Sequence, residues 1–187
     1  MERSRIRAAG GLCSVALALA GFQSLPLGAP LLAEHREWVQ SWRAGWRGAR
    51  FIGESGTVFQ AHASDCGAAC LKMVLSQHGV ECSLSDLAWQ LKTTARGTSM
   101  YNLRTVSTRF GVPARSWVLQ AADLRNAPLP AIAFIEKNHF VVIQRFANSG
   151  ILEIGDPALG TLHWPLDSFR KCWQGEILIF DPDWLPP

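Results

Sequence analysis

Between Asp65 and Gly79 runs Cys66-Gly-Ala-Ala-Cys70-Leu-Lys-Met-Val-Leu-Ser-Gln-His-Gly79, the segment that most restricts how this chain can fold. Ala68, Ala69, Leu71, Met73, Val74 and Leu75 fall on nearly every side of a helical wheel. A helix apolar all round has no face for water, so it must lie at the centre of a domain with other elements wrapped on it. Ser64 or Asp65 can cap its start, and Gly79 supplies a left-handed stop. Ser83-Leu-Ser-Asp86 opens a second helix with Leu84, Leu87 and Leu91 on one face. Ser99 caps a third, with Leu103, Val106 and Phe110 inward and Gly111 after it. Strands follow near 115–119, 131–135, 139–146, 151–154 and 176–180, with a short helix at 166–172 behind Pro165. Helices first and antiparallel strands after is the α+β order. At 48% apolar and 18% charged residues the chain is no disordered polymer. A net charge of +3 without a basic stripe gives no reason to expect a nucleic-acid partner.

The helix also carries chemistry. Cys66 sits in its first turn, where unpaired N–H groups and the helix dipole favour a thiolate. A nucleophile there needs a base, and the histidines available are His35, His62, His78, His139 and His163. His139 follows the polar Glu136-Lys137-Asn138 turn and heads a strand, where its ring can face a cleft. His78 stands at a helix C-terminus, the ordinary place for a surface imidazole. Asp156, at the end of a later strand, could accept the His139 Nδ1 proton and fix the ring's tautomer. Gln60 lies upstream of Cys66, and its amide could join the Cys66 backbone N–H in stabilising an oxyanion. Asp65 is read as a cap without an acid–base role. Cys70, one turn on from Cys66, is read as a buried small hydrophobe; Cys82 and Cys172 either pair with each other or are simply buried. No Cys/His spacing suits zinc, and no cofactor is implied.

Residues 1–33 begin with Arg3, Arg5 and Arg7, continue through the apolar stretch from Leu12 to Gly21 and end in small residues. That order is a secretory signal, with an uncleaved membrane anchor as the alternative, and it implies a periplasmic or extracellular location. Membrane contact is then confined to residues 1–33. Residues 34–57 form a Trp-rich extension in which Trp38, Trp42 and Trp46 recur at helical spacing. The stripe either packs on the domain's own core or docks a partner.

Taken together, Gln60-x5-Cys66-Gly67-x-Ala69-Cys70-Leu71, Gly97-Thr-Ser, His139-Phe-Val-Val and Asp156-Pro157-x-x-Gly160 resemble the C39 peptidase family. The likeness covers residues 58–181, within a domain read as 58–187. It implies a papain-like α+β fold with N-terminal helices packed on an antiparallel sheet. It also implies a cysteine peptidase with Cys66 as nucleophile, His139 as base, Asp156 as orienting acid and Gln60 as oxyanion donor. Family members are best known for cutting leader peptides after a double glycine at the head of bacteriocin-exporting transporters. No nucleotide-binding motif is present here, so the chain resembles the stand-alone, exported members that accompany secretion systems, including those for functional amyloid. The implied partner is an exported polypeptide substrate. A family-like domain that binds such a substrate without cutting it is the rival expectation.

Overall fold

The structure is a computed structural model that describes residues 28–186. Most of the segment read as signal or anchor, residues 1–27, lies outside the described residues. Two compact units divide the chain, one ending at Trp38 and one running from Val39. The described part of the first is the opening of helix α1 (Gly28–Trp46). The second holds the sheet, the other helices and the site. No helix among the described residues is long and apolar enough to cross a membrane.

Helices α2 (Cys66–Gln77), α3 (Leu84–Gln90) and α4 (Met100–Arg109) form where the caps and apolar spacings place them. Ser83 and Ser99 accept hydrogen bonds from the Asp86 and Asn102 backbone N–H groups at 3.0 and 3.1 Å. Gly79, at φ 76°, closes α2 by donating to Ser76 O while Val80 N–H donates to Leu75 O. The start of α2 departs from expectation. Asp65 holds the N-cap position but caps nothing. Its carboxylate turns back to accept from the His62 backbone N–H at 3.0 Å and to meet His62 Nδ1 at 2.9 Å. A carboxylate on the first-turn amides would set a negative charge beside the Cys66 sulfur. Turned away, it leaves the helix terminus to the thiol.

Among the described residues the sheet has seven antiparallel strands in the order β1-β6-β5-β4-β3-β7-β2. They are β1 (Arg50–Gly53), β2 (Arg115–Val118), β3 (Ala131–Ile135), β4 (His139–Asn148), β5 (Ile151–Asp156), β6 (Gly160–Pro165) and β7 (Trp173–Ile179). The sequence pattern marks neither β1 nor β6. β6 lies inside the sheet and is buried along most of its length, so it shows no alternation of apolar and polar residues. β1 is only four residues long and sits in the segment read as an extension, so the sheet begins before residue 58. Helix α5 (Leu166–Phe169) is one turn long, shorter than the 166–172 expected.

Alternation along the strands gives each face of the sheet its own core. Ile132, Phe140, Val142 and Leu178 pack with α2, α3 and α4. Ala131, Ala133, Ile135, Val141 and Ile143 point the other way and pack with Trp164, Phe169, Trp173, Ala44 and Ala49. The tail of α1 meets that second core through Ala44, while Trp42 and Trp46 stand 56% and 78% exposed, edge to face at 5.6 Å. Their stripe is therefore not core. The side chains that the tail of α1 buries are Gln40 and Ala44.

Candidate active site

Register decides how the site assembles. Val142 of β4 lies opposite Gly155 of β5, and paired residues share a face. That face meets α2: a Cβ on Gly155 would stand 3.0 Å from Met73 Sδ. One step along, Asp156 shares the opposite face with Val141, and His139, two residues before Val141, points the same way. His139 Nε2–H donates to Asp156 Oδ1 at 2.8 Å across the two strands. The expected Nδ1 contact is thus corrected. Heading β4, His139 turns its far nitrogen to β5 and leaves Nδ1 for the end of the sheet. There the first turn of α2 brings the Cys66 thiol near enough to the ring for each group to shift the other's pKa. The site is a seam at the sheet's end, where the two cores meet.

The electrostatics suit a thiolate–imidazolium pair. Burial alone would raise the Cys66 pKa. The hydrogen bond to His139, the Phe140 and Gly67 backbone N–H groups and the imidazolium charge outweigh it and lower the pKa. Burial would push His139 down, yet the hydrogen bonds and charges of Asp156 and Cys66 raise it to about 9. Asp156 is fully buried, which opposes its charge. Bonds from His139, from the Ala158 backbone N–H at 2.8 Å and from Arg47 hold it below the usual carboxylate range. Cys70 is fully buried, and burial together with the nearby Cys66 and Asp156 charges raises its thiol well above the ordinary value. One helical turn separates an activated sulfur from an inert one.

The Gln60 loop is stitched to the same corner: its backbone N–H donates to Pro157 O at 3.1 Å, and its side-chain Oε1 is buried without a partner. The Gly97-Thr-Ser block supports α2 from below, since Thr98 Cγ2 lies 2.5 Å from where a Gly67 Cβ would stand. Gly160 has φ 109° and passes so close to β1 that a Cβ would come within 2.7 Å of Gly53 O. Cys82 and Cys172 are free thiols, so the pairing considered for them is absent. His62 is exposed and bound to Asp65 at 2.9 Å, and His163 pairs with Glu153 at 3.4 Å. Arg47, from just beyond α1, reaches Asp156 Oδ2 at 3.3 Å. Nothing in the sequence marked it, because its role depends on where α1 ends in space. An apolar groove of about 590 Å³ opens between the start of α4 and the strands β2, β3 and β7. Thr98 and Phe140, which bracket Gly67, line it together with Met100, Trp117 and Phe134.

Comparison with known proteins matches this architecture. A chain of Methanothermobacter marburgensis without assigned function is 32% identical over 131 residues, covering 70% of this chain and 92% of its own length. A Pseudomonas aeruginosa chain designated probable functional amyloid protease FapD is 32% identical over 124 residues, covering 60% of this chain and 54% of that one. Among solved structures, a double glycine motif protease from an AMS/PCAT transporter, in complex with its leader peptide, aligns with a TM-score of 0.64 and 28% identity. That alignment covers 66% of this chain and 89% of the other. The model of the peptidase C39 family matches residues 54–184. The match starts just after β1 and ends beyond β7, taking in α2 to α5 and every other strand: the chain belongs to the peptidase C39 family.

Proposed function

We propose that this chain is an exported cysteine peptidase that hydrolyses a peptide bond in an exported polypeptide, as part of a secretion system. The observation that carries the reading is His139 Nε2 meeting the buried Asp156 at 2.8 Å, with Cys66 in the first turn of α2 close enough to the ring for each to shift the other's pKa. In the proposed reaction the Cys66 thiolate attacks the carbonyl carbon, and the C=O electron pair moves onto oxygen. The Gln60 side-chain amide and the Cys66 backbone N–H stabilise that oxyanion. Collapse breaks the C–N bond, and His139 Nδ1–H gives its proton to the departing amine. Water then attacks the thioester, returns a proton to His139 and releases Cys66 as thiolate. Asp156 keeps Nε2 protonated throughout and so holds Nδ1 toward the sulfur.

The groove, lined by Met100, Trp117, Phe134 and Phe140, supports an extended, partly apolar substrate. The leader peptide bound by the double glycine protease suggests the same substrate class here, and the resemblance to FapD suggests an amyloid-type cargo. The exposed Trp42 and Trp46 favour one rival, a domain that holds its cargo without cutting it. The test is mass spectrometry of a peptide library, including Gly-Gly leader sequences, incubated with the full chain and with Cys66→Ala. Paired fragments from the wild type alone support the peptidase. Added mass instead of cleavage would make it a transferase, and binding by both proteins without products would leave the holding role.

A further inference from the structure

The family match begins at residue 54, yet one group in the active site comes from before it. We infer that Arg47 is a positioning residue of the catalytic centre, its guanidinium fixing the Asp156 carboxylate so that Asp156 can hold the His139 ring toward Cys66. The inference rests on the peptidase reading and adds a residue that the family region does not contain.

Three features carry it. The guanidinium is a fork: Nη1 donates to Asp156 Oδ2 at 3.3 Å and Nη2 to Glu136 Oε2 at 2.8 Å. Glu136 stands in the turn that leads into His139, and its backbone N–H is tied to Cys172 O at 2.9 Å. One rigid planar group therefore spans the approach to β4 and the end of β5, the two places that carry the imidazole and its carboxylate. Second, Asp156 is fully buried. Its Oδ1 is taken by His139 and Ala158, and Arg47 fills Oδ2. A buried carboxylate oxygen needs such a donor far more than the half-exposed Glu136 does. Third, Arg47 is no loose surface arm. Its carbonyl accepts from the fully buried Trp164 Nε1 at 3.1 Å, and its N–H donates to Ala44 O at 3.0 Å.

The charged and titratable groups around this corner are His139 and Cys70 toward Asp156, Cys66 toward His139, and Glu136 and Cys172 toward Arg47. The test follows iodoacetamide alkylation of Cys66 in the full chain across pH, read by peptide mapping, for wild type, R47M and R47K. If Arg47 positions Asp156, R47M lets the carboxyl turn and take a proton more readily. The acid limb of the alkylation profile then moves to higher pH by about one unit, alkylation below it slows by roughly tenfold, and the profiles converge at alkaline pH. R47K, which keeps the charge but loses the fork, moves the limb in the same direction by less than R47M. A structural defect alone would scale the whole profile and leave the limb in place, and that overturns the role. So does a limb that moves to lower pH, which would mean that Arg47 only offsets the charge of Asp156. Should R47M not fold, R47Q keeps a donor at the site and carries the same test. A wild-type Cys66 no more reactive than in denaturant would instead sink the peptidase reading itself.

Discussion

Replacing Gly67 by Ala ought to help an ordinary helix, since alanine is favoured over glycine in a helix interior by about 1 kcal/mol. Here it should harm. The new methyl would lie 2.5 Å from Thr98 Cγ2, 3.3 Å from Phe140 Cδ2 and 3.6 Å from Leu103 Cδ2. Carbon atoms attract at about 3.5–4.0 Å, so the first contact is roughly 1 Å too close. Thr98 cannot swing aside cheaply. Its side chain is branched at Cβ, and Oγ1 donates to Leu91 O at 3.0 Å. Overpacking of this kind costs about 1–3 kcal/mol, so the net effect is a loss of about 0–2 kcal/mol after the helix gain. For a domain of this size that lowers Tm by up to roughly 8 °C. The functional loss should be larger, because the helix yields at the turn that carries the nucleophile. A displacement near 1 Å is worth about a hundredfold in rate. The assay pairs thermal unfolding with Cys66 alkylation at neutral pH for G67A, T98S and the double variant. T98S deletes the offending methyl and keeps the hydroxyl, so G67A/T98S should recover both stability and reactivity. A G67A protein more stable than wild type, with Cys66 as reactive as before, would refute the packing argument.

The rate of peptide cleavage should be bell-shaped in pH. The alkaline limb falls near pH 9, where His139 loses the proton needed by the leaving amine, and the acid limb falls below the ordinary thiol value because Cys66 is lowered. In stability the His139 contribution has the sign of a raised base: present below pH 6.5 and lost as pH climbs through about 9, which urea titrations at several pH values would read. Asp156→Asn should cut kcat/KM by roughly 10²–10⁴-fold and also lower Tm, since Arg47 then faces a neutral amide; full activity in that variant would remove Asp156 from the mechanism. Ser99→Ala removes the cap of α4 and should cost about 1 kcal/mol in urea unfolding while the pH limbs stay put.

Much of the site was legible because local rules and a motif agreed. Cys66 had to begin a buried helix: Gly79 and the apolar run fixed its end and its depth. His139 and Asp156 could be named because each terminates a strand next to a turn, where a polar side chain survives in a sheet otherwise filled by Val, Ile and Leu. Which imidazole nitrogen meets Asp156 was beyond local reasoning. It follows from the pairing of Val142 with Gly155, a register that no single strand records. The same holds for Asp65, whose capping geometry depends on where the His62 turn sends the chain. β6 lacked a signal because strands buried on both faces lose the period that identifies them.

The residues hardest to read are those that join the two cores. Val142 and Gly155 face α2, while Val141, His139 and Asp156 face the core that includes Ala44 and Trp164. A thiol from one layer and an imidazole from the other can meet only at the end of the sheet, and the fold must hold both layers to a fraction of an ångström there. Gly67 does this on the helix side by letting Thr98 and Phe140 approach. On the other side a buried carboxylate needs a partner on each oxygen, and its own hairpin supplies partners for one. The second oxygen is met by the guanidinium of Arg47, whose backbone carbonyl is held by Trp164 Nε1 of β6 and which comes before the sheet's first strand. On the proposed reading, a unit drawn at residue 54 or 58 would keep Cys66, His139 and Asp156 and lose that partner.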